Sequence, residues 1–191
     1  MRYLLPAVLA CALLLPGHNA SAQTTVGLKG GLSFSTLTNK QPDWKSRTGF
    51  AAGIALDMRA GPIGIQPELL YVQKGVKSDG SPSSDAPKLD YAEIPVLLKV
   101  TIPLPALQPF VYAGPSVGFR LSCKLGEVDC ASGVIKSTDF GAALGGGIRL
   151  GGNKGLTLEG RYMWGLKDVH DLTSGVDSRT RTFLVLAGVS L

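Results

Sequence analysis

The sequence is poor in the side chains that build most metal and nucleophile sites. Of 191 residues, three are cysteine and two are histidine. Cys11 and His18 fall in the first 22 residues, which read as a secretory leader: Arg2, the apolar stretch YLLPAVLACALLLP, then ASA ahead of Gln23. Beyond that stretch no run of 18 apolar residues occurs, so no spanning helix is expected. Basic residues are scattered rather than clustered, and the net charge of +5 is mild, so nucleic acid is not an expected partner. Neither a metal site nor a cofactor is expected, because ligand-bearing side chains are too few and too far apart.

The two cysteines beyond the leader stand in CKLGEVDC, as Cys123 and Cys130. An exported chain meets an oxidising compartment, so a disulfide closing a small loop is the expected state. A metal pair would need further ligands, and His170 lies far along the chain. Cys11 as a lipoprotein cysteine fits less well, since much of the apolar core follows it. The expected organisation is therefore a leader, 1–22, and one domain, 23–191.

What recurs through that domain is alternation with period two, the mark of strands with two unlike faces. Eight segments show it: 25–36, 48–59, 63–75, 89–102, 109–121, 138–150, 156–167 and 179–191. In 138–150, Phe140, Ala142, Leu144, Ile148 and Leu150 oppose Asp139, Gly141, Gly145, Gly147 and Arg149. In 179–191, Phe183, Val185, Ala187, Val189 and Leu191 form an apolar face, while Leu184 and Leu186 break the polar one. Connections alternate as well. Residues 60–62, 103–108 and 151–155 are short, whereas 37–47, 78–88, 122–137 and 168–178 are long and polar. Short turns at one end and long loops at the other predict an all-β, eight-stranded antiparallel up-and-down transmembrane β-barrel.

Three features turn the apolar face towards lipid. The polar face is rich in glycine, which suits a narrow lumen and weakens a water-facing sheet. It carries both signs of charge: Lys29, Arg59, Lys99, Arg120, Arg149 and Arg161 with Asp57, Glu68, Glu93, Asp139 and Glu159. The apolar faces carry none. These charges are expected to neutralise one another as a structural plug, with Glu68, Glu93, Lys99, Arg120 and Arg161 at its centre. The opposite arrangement, apolar face inward around a ligand, is the soluble lipocalin-like alternative. A narrow pore is a further one.

The aromatics Phe34, Tyr71, Phe110, Phe119, Tyr162, Trp164 and Phe183 fall mostly near strand ends, as headgroup girdles require. Trp44, in the loop NKQPDWKSR, is a candidate contact for a partner or glycan. His170, in KDVHDLTSG, is a candidate rim contact. It lacks a nucleophile held by a third group, so no enzymatic activity is expected.

The segments GLKGGLSFS, PELLYVQKG, LDYAEIPVLLK, PFVYAGPSVGF and LEGRYMWGLKD, in this order across nearly the whole domain, resemble the outer-membrane β-barrel domain family that includes PorT-like proteins. The terminal apolar alternation resembles the signal read by the barrel assembly machinery, although that signal usually ends on an aromatic residue rather than a leucine. The resemblance implies a bacterial outer-membrane location, with lipid and the assembly machinery as partners. A protein partner at the extracellular loops is a further expectation. PorT-like proteins are tied to protein secretion, so an accessory role in secretion or transport is an alternative function. The leading one is a structural or interaction barrel.

Overall fold

The computed structural model describes residues 23–37, 44–78, 87–125, 128–129, 138–151, 155–166 and 180–191. These form β1 (Gln23–Leu37), β2 (Trp44–Ala60), β3 (Ile63–Ser78), β4 (Pro87–Thr101), β5 (Leu107–Leu125), β6 (Val128–Asp129), β7 (Thr138–Leu150), β8 (Leu156–Gly165) and β9 (Thr180–Ser190). Eight of them are long and pair antiparallel with sequence neighbours. Strand β1 also pairs β9, and β4 pairs β5, so the sheet closes on itself. The two-residue β6 extends the ladder of β5 beyond the barrel. The transmembrane barrel predicted from the alternation is the observed fold. Closure leaves no unpaired edge among the eight described barrel strands, the condition for strands in lipid.

Tight turns join β2 to β3, β4 to β5 and β7 to β8, and this end also holds the start of β1 and the end of β9. We call it the turn end and the opposite one the loop end. Gly61 (φ 64°) and Gly151 (φ 84°) adopt the left-handed conformation that lets the chain reverse in so few residues. At the seam, the Leu191 amide donates to the Val26 carbonyl at 2.8 Å and the Ser190 amide to Gly155 at 2.9 Å.

Several strands run further towards the loop end than expected. Strand β2 starts at Trp44, β3 continues to Ser78 and β5 reaches Leu125. The backbone ladder needs no apolar face to continue, so polar residues extend it past the point where the alternation fades. Trp44 accordingly stands on a strand, opposite Ser78, and not in a loop.

The alternating faces separate cleanly. Outward positions carry large apolar side chains, among them Leu28, Ile54, Ile65, Leu98, Leu144 and Leu158, all exposed. The inward face holds the buried polar and charged residues. Leu184 and Leu186, which broke the pattern of the last strand, point inward and are fully buried. They pack in an interior apolar cluster with Ala51, Leu70, Val72, Leu97, Phe110, Tyr112, Ala143 and Met163. The interior is thus partly apolar, and period-two polarity alone could not assign these leucines.

Candidate functional site

Strand pleating sends alternate side chains of all eight strands into one narrow interior, so charges distant in sequence meet there. Arg161 on β8 is at the centre and fully buried. Its Nη1 donates to Glu68 Oε2 at 2.6 Å and its Nη2 to Glu68 Oε1 at 2.9 Å, a two-pronged contact with β3. Nη2 also donates to Glu159 Oε1 at 2.9 Å, and Nε donates to the Tyr112 hydroxyl at 3.0 Å. Lys29 on β1 holds the same two carboxylates, at 2.8 Å from Glu68 and 2.9 Å from Glu159. Two cations and two carboxylates therefore form a closed square across three strands, β1, β3 and β8.

A glycine makes room for this square. Tyr112, Gly145 and Arg161 stand in one row across β5, β7 and β8. A Cβ at position 145 would lie 2.7 Å from the Tyr112 ring and hydroxyl. The bare backbone lets the ring lie over β7 and reach the guanidinium, whose Cζ is 5.0 Å from the ring centroid.

Gln66 carries the network towards the turn end. Its amide nitrogen donates to Glu68 Oε1, and its carbonyl oxygen accepts from Lys99 Nζ at 2.8 Å. Lys99 also donates to Asp57 Oδ2 at 3.0 Å and lies 4.2 Å from the Phe110 ring centroid. Arg149 Nη2 donates to the same Asp57 oxygen, and Arg59 Nε lies 3.9 Å from Asp57 Oδ1. Towards the loop end, Lys74 Nζ donates to Glu93 and lies 4.7 Å from the Tyr91 ring centroid. Lys74, Glu93, Ser116, Asp139 and Thr180 line a small cavity there.

Of the eleven charges singled out in the sequence, Lys29, Asp57, Arg59, Glu68, Lys99, Arg149, Glu159 and Arg161 join one network. Glu93 and Asp139 stand apart at the loop-end cavity, on the far side of the apolar cluster. Arg120 is on the loop-side half of β5. Glu93 and Arg120 are thus not at the centre of the network. Two bridging residues escaped the sequence reading: uncharged Gln66, and Tyr112, whose hydroxyl gave no signal without the row geometry. Lys74 was visible on the polar face but had no distinguishing mark.

Outside, the aromatics are one-sided. Phe34, Phe50, Tyr71, Phe119, Phe140, Tyr162, Trp164 and Phe183 all face outward in the loop-side half of their strands. Phe34 pairs with Phe183, and Tyr162 lies 4.6 Å from Trp164. Outward positions of the turn-side half are aliphatic. Phe110, expected in a girdle, is instead buried inside, 5.9 Å from Tyr112. Position near a strand end does not fix the face, and Phe110 has the inward parity of Tyr112. Cys130, His170 and residues 1–22, the expected leader, lie outside the described residues, as does the side chain of Cys123.

Comparison with known proteins agrees with this architecture. A family model described as outer membrane protein beta-barrel domain matches residues 19–171. The crystal structure of Neisserial surface protein A is 16% identical with a TM-score of 0.61, covering 90% of this chain and 99% of that one. Ail, the attachment invasion locus protein of Yersinia pestis, is 12% identical with a TM-score of 0.49, covering 88% and 97%. The outer membrane enzyme PagL is 10% identical with a TM-score of 0.48, covering 88% and 100%. No curated protein sequence matches the chain. The chain belongs to the outer membrane protein β-barrel domain family, and its place is the bacterial outer membrane.

Proposed function

We propose that this outer-membrane protein is a structural and interaction barrel, closed by its own side chains, that presents its loop end to partners outside the cell. Barrels of this kind direct short turns to the periplasm and long loops outward. The observation that carries the reading is the square of Arg161, Lys29, Glu68 and Glu159 across the interior, next to an apolar cluster. Buried charges held this tightly serve rigidity better than passage, because a permeating ion would have to displace them. The loop-side belt of aromatics supports anchoring at the outer headgroup level. The reading assigns no reaction to the barrel.

A genetic exchange tests this. Shortening the loops at 79–86 and 167–179 to tight turns should reproduce the phenotype of a deletion strain while the barrel still reaches the outer membrane. Replacing the loop-side interior pair, Lys74→Met with Glu93→Leu, should leave the strain like wild type. The opposite pattern, with dispensable loops and an essential interior, contradicts the proposal. A part in secretion, implied by the resemblance to PorT-like proteins, is a separate proposal. It predicts that deletion blocks export of particular proteins.

A further inference from the structure

The turn-side network is not neutral. Lys29, Arg59, Lys99, Arg149 and Arg161 contribute five positive charges, whereas Asp57, Glu68 and Glu159 contribute three negative ones, and with Arg59, which makes a further interaction, set aside, positive charge still exceeds negative by four to three. No nearby acid can make up the difference. The other eleven of the fourteen acidic residues belong by sequence position to the loop-side halves of strands or to the loop segments. The turn segments 61–62, 102–106 and 151–155 contain none. An uncompensated excess of buried positive charge is costly unless a counter-charge joins it.

The surplus has a location. Arg149 is 2% exposed, and only its Nη2 is engaged, by Asp57. Its Nε and Nη1 are buried and have no hydrogen-bond partner among the described residues. Arg149 lines a cavity of about 20 Å³ in the turn-side half of the barrel. Donors surround that space: Lys99, Lys29 and the hydroxyl-bearing Thr25, Thr157 and Ser190. Asp57 and Glu159 also line it, both paired with cations; Asp57 Oδ1 is the one open acceptor among the described lining residues, against two open donors of Arg149. The space holds about one water-sized species, which suits a bare halide and excludes larger oxyanions.

We infer that the turn-side cavity is a binding site for one bare halide ion, held by Arg149. The anion offsets part of the network's surplus charge and accepts from the donors that protein atoms leave unused. It enters from the periplasmic side and is distinct from any lipid phosphate on the outer surface.

The test is calorimetric titration of the folded barrel in a lipid-free, nonionic detergent, with sodium chloride and inorganic phosphate in separate experiments at constant ionic strength. The absence of lipid excludes headgroup binding. Wild type should bind chloride saturably, at one site per chain, and phosphate, too large for the space, far more weakly. Arg149→Gln should weaken that binding about tenfold or more, the loss expected for a charge-assisted hydrogen bond. Arg120→Gln, in the loop-side half, should bind as wild type does. Asp57→Asn, which adds to the surplus and frees Arg149 Nη2, should bind more tightly. The altered gel mobility of unboiled samples reports folding of each variant, and Asp57→Asn decides the matter if Arg149→Gln does not fold. The inference is overturned if folded wild type does not bind chloride, if phosphate binds as well as chloride, if Arg149→Gln binds like wild type, or if Asp57→Asn binds no better.

Discussion

In the turn-side half of the interior, five cations share three carboxylates through one continuous network. In the loop-side half, Arg47, Lys74 and Arg120 face the interior with Glu93 and Asp139, a smaller excess. Outside, the contrast runs in parallel: aliphatic side chains surround the turn side and aromatics the loop side. Both halves have the same strands, the same pleat and the same narrow bore. Their difference therefore comes from which inward positions carry charge. The turn side concentrates charge and rigidity, and the loop side supports the segments that face the exterior.

The sharpest way to break this contrast is at its centre. Arg161→Ala leaves Glu68 and Glu159 with Lys29 as their only cation, and should cost about 3–5 kcal/mol. The expected result is a large drop in the urea midpoint of the barrel in lipid vesicles. Leu144→Arg tests the outer face instead. It places a charge midway along β7 against lipid and should cost about 2–4 kcal/mol in the same assay. A smaller effect is expected from Glu93→Gln, which weakens one charge-assisted contact of Lys74 in the loop-side half, at about 1–3 kcal/mol. If it were to match Arg161→Ala, the two halves would not differ as described. Smallest of all, Arg181→Ala at an exposed position near the loop end of β9 should stay within about 0.5 kcal/mol.

Much of this fold can be read in the sequence because a membrane barrel writes its two faces into every strand. Lipid tolerates no charge near its centre, so the outward face of Leu28, Ile54 and Leu144 stays apolar without interruption. The inward face obeys a looser rule. A packed interior accepts any side chain that finds a partner or fills space, so Leu184 and Leu186 lie beside Arg161 without conflict. That looseness also hid Phe110, whose place near a strand end resembled that of a girdle residue. Which charges meet depends on shear, the offset between strands as the sheet closes. The contact of Arg161 with Glu68, 93 residues apart, follows from that offset and not from any local spacing. Gln66 shows the same gap, since an amide with no charge becomes the link between two ionic groups only when the barrel has closed.

The proposed function requires an interior shut by its own charged and apolar side chains. Single-channel recording of the refolded protein in a planar bilayer probes this. Heat-dependent gel mobility should first confirm that the barrel is folded. A closed interior gives no conductance steps across the range of voltages and salts that open porins. Steady, reproducible openings from the folded wild-type barrel would contradict it, because ions would then be passing the square formed by Arg161, Lys29, Glu68 and Glu159.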